Sequence, residues 1–173
     1  MKRIIIAAGL CVPVLAQASN TINFQGEVST QTCSVDINGS TSGPVVLLPT
    51  VPANSLSAQG AVAGQTEFTV RLSGCTANAS VDTPISTVFV ANRLTASGNI
   101  GNAGTASQVA LQLLDPKKLG TPFNLTGGYK APGLVLQSGQ TTAAYDFAVR
   151  YHAEGVVTPG TVLGSVQYAV SYL

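Results

Sequence analysis

Between residues 160 and 173 the chain alternates, with Val162, Gly164, Val166, Tyr168, Val170 and Tyr172 on one face and mostly small or polar residues on the other. A period of two predicts a β-strand with one buried side. Because the chain stops inside this strand, no later strand can pair with its far edge. That edge is expected to be covered by another molecule or to remain an aggregation hazard. A second alternating run lies near the opposite end, over residues 22–35, interrupted by Gly26. In it Ile22, Phe24, Gly26 and Val28 share one face of an extended segment. Periodicity alone is equally compatible with an ordinary first strand paired inside its own domain.

Between these runs the pattern predicts further strands. Residues 66–72 alternate Phe68, Val70 and Leu72, residues 85–94 are rich in β-branched side chains, and residues 45–48 form a short apolar run between Pro44 and Pro49. Residues 109–114 run into the turn cluster 115–120 and on to Phe123, which reads as a hairpin. Residues 141–151 alternate Ala143, Tyr145, Phe147, Val149 and Tyr151. No helical period appears. Residues 49–64 and 96–106, rich in Ala, Gly, Ser and Asn, are expected to be exposed loops. About seven strands separated by turn signals indicate a β-sandwich, with an immunoglobulin-like arrangement as the leading choice.

The first residues change where this domain is expected to work. Lys2 and Arg3 followed by an apolar stretch and Ala16-Gln17-Ala18 read as a secretory leader over residues 1–18, discarding Cys11 and starting the mature chain at Ser19. No later apolar run reaches transmembrane length, so the exported chain is not expected to span a membrane. The remaining chain keeps Arg71, Arg93, Lys117, Lys118, Lys130 and Arg150 against seven acidic residues. So even a balance argues against nucleic acid or an anionic membrane surface as the main partner.

Export also places Cys33 and Cys75 where disulfides persist, and with two cysteines the pairing is forced. Closing a loop of roughly 40 residues is expected to stabilise the fold by about 4 kcal/mol in the chain-entropy account. A metal or redox role lacks both a Cys-x-x-Cys spacing and histidines, His152 being the only one. His152 with Asp146, Glu154 and any of the serines resembles a Ser-His-Asp set only on paper, for no Gly-x-Ser-x-Gly elbow accompanies it. These side chains are expected on a solvated strand face and its exit. No catalytic residues, metal or cofactor are expected. Lys117-Lys118 reads as a charged hairpin tip, and the Asn-x-Ser/Thr triplets at Asn38, Asn78 and Asn124 are too short a pattern to decide anything.

Four features in this order resemble the fimbrial subunits of the bacterial chaperone-usher pathway: the segment from Ile22 to Val28 shortly before Cys33; the Cys33 and Cys75 pair; Arg150-Tyr151 followed by Gly155 and Thr158-Pro159-Gly160; and a penultimate Tyr172 with Gly160 fourteenth from the end. The resemblance covers essentially the whole chain. It implies an all-β, incomplete immunoglobulin-like sandwich lacking its C-terminal seventh strand and carrying one disulfide. It divides the chain into a leader (1–18), an N-terminal donor-strand extension (19–28) and a pilin domain (29–173). The row Ile22, Phe24, Gly26 and Val28 would be the donor strand. The groove and the strand recognised by the chaperone would be formed by Gly160, Val162, Gly164, Val166, Tyr168, Val170 and Tyr172. The implied partners are identical or related pilin subunits, a periplasmic chaperone and an outer-membrane usher, in a route from the periplasm to a surface fimbrium. Polymerisation would follow donor-strand exchange, a form of β-augmentation. The competing expectation is a secreted binding module, or a minor or tip adhesive subunit, that recognises a surface ligand through loops such as residues 96–106.

Overall fold

The computed structural model describes Val28 and residues 33–118 and 121–172. The leader, Ile22, Phe24 and Gly26 lie outside the described residues, as does most of the expected strand over residues 22–35. Eight strands appear among the described residues: β1 (Ser34–Ile37), β2 (Val62–Ser73), β3 (Thr83–Ala91), β4 (Ile100–Gly101), β5 (Val109–Leu114), β6 (Tyr129–Leu136), β7 (Ala143–Ala153) and β8 (Val166–Ser171). They form a five-stranded sheet in the order β1-β2-β7-β5-β4 and a three-stranded sheet in the order β6-β3-β8. Every pairing is antiparallel. This is the expected two-layer sandwich, with β8 at the edge of the smaller sheet.

The alternation that predicts the strands also builds the core. Val70 and Leu72 of β2, Ile85 and Phe89 of β3, Leu113 of β5 and Phe147 of β7 point between the sheets and are buried. Phe147 meets Phe89 edge-on at 5.2 Å between ring centroids, and Phe68 lies 6.5 Å from Phe89. Such geometry suits the aromatic quadrupole and adds about 0.5–1.5 kcal/mol per pair beyond area burial. Phe123 stacks on Tyr129 at 4.3 Å, closing the core beneath the hairpin that follows β5. Cys33 and Cys75 are bonded, with Cα atoms 4.3 Å apart, and tie the start of β1 to the end of β2.

Four expectations need correction, and one strand, β6, was not expected. The strand expected over residues 160–173 is confined to β8, residues 160–165 belonging to no strand because their bonds go to the loop at 102–107. Residues 45–48 are extended but belong to no strand; Pro44 and Pro49 flank the run, and proline supplies no N–H for a ladder. β6 escapes the periodicity because Pro132 and Gly133 interrupt it. Gly133 adopts φ +138° where the β3–β6 register shifts between Ile85 and Thr87, and a Cβ there would run into the Tyr145 ring. The stretch 49–64 is not simply an exposed loop. It holds a 3-10 turn (Ala53–Leu56) whose Leu56 is buried with Ala106, Val109 and Ala153 in a small second core. Likewise residues 96–106 contain β4 and the buried Asn99 and Ile100.

Candidate functional site

β8 pairs along one edge only. Its partner is β3, in a register running from Ser86 opposite Ser171 to Ala91 opposite Val166, and no strand among the described residues lies against its other edge. Along that free edge opens an apolar cleft of about 200 Å³. One wall is Gly164, Ser165, Val166 and Tyr168; the opposite wall is Pro44, Val46 and Leu48. Phe68, Phe89, Ile100 and Leu111 belong to its floor. An extended chain laid here would find main-chain hydrogen-bonding groups on β8 and apolar side chains beneath it. That combination lets a strand be added to a sheet.

The C-terminal row occupies this region residue by residue. Gly164, Val166 and Tyr168 line the cleft itself. Val162, Val170 and Tyr172 lie half-buried in the same alternating row and pack on the core. Gly160 sits apart, pressed onto residues 105–106, where any Cβ would overlap the Ala106 backbone. Gly164 serves the groove differently: a Cβ would fall 2.8 Å from Leu111 Cδ1 and 2.9 Å from Ile100 Cγ2, so glycine lets the wall approach its floor. Val28, the described member of the N-terminal row, is fully exposed.

The opposite wall is missing from sequence reasoning. Pro44, Val46 and Leu48 alternate inward while Val45 and Leu47 point outward, 81% and 85% exposed. The run is apolar at every position, so its sequence shows no alternation; which face turns inward depends on the segment that faces β8 across the gap.

Residues 158–163 are held quite differently from β8. The Ala106 N–H donates to the Thr161 carbonyl (3.0 Å) and the Ala103 N–H to the Leu163 carbonyl (2.7 Å). The Thr158 N–H donates to the Ser107 carbonyl (3.3 Å), and side chains add further bonds. The Thr105 N–H donates to Thr161 Oγ1 (3.0 Å), and the Thr161 N–H donates back to Thr105 Oγ1 (2.9 Å). Asn102 Oδ1 accepts from the Leu163 and Gly104 N–H groups, while its Nδ2 donates to the Ala106 carbonyl. The Ser107 N–H donates to Thr158 Oγ1 at 3.1 Å. Gly104 and Gly160 allow this approach, since a side chain on either would overlap the backbone opposite.

The residues sketched as a triad form a loop clamp instead. Glu154 accepts hydrogen bonds from Ser97 Oγ (2.7 Å) and Asn99 Nδ2 (2.9 Å), and His152 Nδ1 lies 3.6 Å from its carboxylate. Burial by itself would raise the Glu154 carboxyl. Hydrogen bonds from Ser97, Asn99 and Thr95, with His152 nearby, outweigh it and hold the group below its ordinary value. Asp146 accepts from the Thr69 hydroxyl at 2.7 Å. These contacts fasten β7 and its exit to β2 and to the loop at 97–99.

Comparison with known proteins agrees with this geometry. Residues 22–173 match the family described as "Fimbrial protein". The chain is 35% identical to the "Major fimbrial subunit SMF-1" of Stenotrophomonas maltophilia (strain K279a), over 92% of this chain and 96% of the relative. It is 34% identical to the "F17 fimbrial protein" of Escherichia coli, over 92% of this chain and 94% of that one. Among solved structures its fold is similar to that of the P pilus rod subunit PapA, with a TM-score of 0.60 at 12% identity, covering 81% of this chain and 99% of that chain. A family match of this extent, together with close full-length relatives and a shared sandwich fold, establishes that the chain belongs to the fimbrial protein family and is a fimbrial subunit.

Proposed function

We propose that this subunit polymerises by donor-strand exchange in a fimbria of the chaperone-usher type. The row Ile22, Phe24, Gly26 and Val28 of one copy enters the cleft of the next, between residues 44–48 and β8. Before that, a periplasmic chaperone fills the cleft and delivers the subunit to an outer-membrane usher. The leader over residues 1–18 starts this route, and the finished fibre serves surface attachment or biofilm formation. One observation carries the reading: the apolar cleft borders the edge of β8 against which no strand among the described residues lies, so one extended segment satisfies both the backbone and the buried floor. Burying Ile22 and Phe24 there contributes about 1.5–3 kcal/mol each, in addition to the ladder hydrogen bonds.

The test is Phe24→Asp, expressed with the cognate chaperone and usher. An unpaired charge in the neighbour's groove costs several kcal/mol, while the variant's own sandwich is untouched. The expected outcome is a stable chaperone-bound monomer and no normal surface fibre. Wild-type amounts of fibre would show that residues 19–28 are not the donor strand.

A further inference from the structure

A second cleft, of about 160 Å³, adjoins the first and shares Gly164 and Ser165 with it. Its other lining residues are Arg93, Gly101, Ala103 and Leu163. Arg93 is the one charged side chain lining either cleft. It is positioned with care: its stem lies against Gly101, where a Cβ would come 2.6 Å from Arg93 Cγ, and its NH1 donates to the Asn102 carbonyl at 3.1 Å. Among the described residues no carboxylate forms an ion pair with it. A guanidinium tied by one nitrogen beside a carbonyl keeps its other donors for a carboxylate, the group whose geometry it matches.

The segment proposed to enter the main groove carries one such group. Between residues 19 and 32 the only ionisable side chain is Glu27, and it falls on the face opposite Ile22, Phe24, Gly26 and Val28. We infer that the Arg93 cleft is a carboxylate subsite at the end of the groove, receiving Glu27 of the incoming copy and thereby fixing the direction and register of the donor strand. This rests on the donor-strand reading above. With the strand antiparallel to β8, the 26–28 end reaches Gly164 and Ser165, beside Arg93. Run the other way, Glu27 would sit five residues, about 17 Å, from that point. A charge at one end therefore adds a preference for the first direction.

The test is exchange of fluorescent peptides spanning residues 19–32 into the chaperone-bound subunit. Wild-type, Glu27→Lys, Glu27→Gln and Phe24→Asp peptides are compared at low and high salt, on wild-type and Arg93→Glu subunits. An exposed pair is worth little, so Glu27→Gln should slow exchange about threefold and the charge reversal by up to about tenfold, both effects fading in high salt. The Glu27→Lys peptide should recover on the Arg93→Glu subunit. Equal rates for the wild-type, Glu27→Gln and Glu27→Lys peptides on the wild-type subunit would overturn the subsite, and that comparison needs no altered protein to fold. Failure of the wild-type peptide to enter at all, or equal entry of Phe24→Asp, would instead overturn the donor-strand reading.

Discussion

Two neighbouring stretches near the C-terminus, residues 158–163 and β8, have opposite kinds of support. The first is fastened by a ladder of side-chain and main-chain bonds to residues 102–107, with Gly104 and Gly160 allowing contact. The second is paired with β3 on one edge, and no strand among the described residues lies against the other. A segment that draws its bonds from neighbouring hydroxyls and amides is complete within one subunit. A strand that leaves a backbone edge and an apolar floor exposed is complete only when something is added. The boundary falls near Gly164 and Ser165, where both clefts meet.

The comparison is broken most severely from the open half. Val170→Asp puts a charge among half-buried core contacts beside the unpaired edge, a cost of several kcal/mol. The subunit itself should disappear from the periplasm, as measured by its steady-state level with the chaperone present; normal levels would show that this row does not support the fold. The fastened half should give a smaller effect. Gly160→Val drives a side chain into the Ala106 backbone and should cost about 2 kcal/mol. For a domain of this size that lowers the thermal midpoint by roughly 4–8 °C. An unchanged midpoint would mean that the close approach is dispensable.

Smallest is the pH response of the clamp behind the ladder. The carboxyl of Glu154 is held below its ordinary value of 4.5 in the folded protein. Its contribution is therefore complete above about that pH and is lost as pH falls through the lowered folded value. Thermal midpoints at pH 7 and pH 3.5 should differ more for the wild type than for Glu154→Gln. Equal differences would remove Glu154 as a contributor.

Much of the sandwich was legible because buried strands carry their evidence locally. β2, β7 and β8 follow from alternation, β5 from a short apolar run ending in a turn cluster, and the Cys33–Cys75 bond from there being two cysteines after the leader. The rest depends on contacts distant in sequence. Nothing local marks Pro44, Val46 and Leu48 as the wall opposite Gly164 to Tyr168, since that relation crosses more than half the chain. The Thr105–Thr161 pair is similarly invisible, because polar residues in a loop look alike whether they bond to water or to a strand. β6 was lost through Gly133, whose local weakness as a strand residue makes room for the Tyr145 ring.

The disulfide also sets how the subunit carries mechanical load. Cys33 stands immediately before β1, and Cys75 lies just beyond the end of β2. A pull on the chain ahead of Cys33 therefore reaches Cys75 through covalent bonds. It does not have to pass along the four-residue ladder between β1 and β2. Without the bond, that tension would fall first on the four pairs of the β1–β2 ladder. With it, force arriving at the N-terminal side is delivered to the C-terminal end of β2 and shared with its longer pairing to β7.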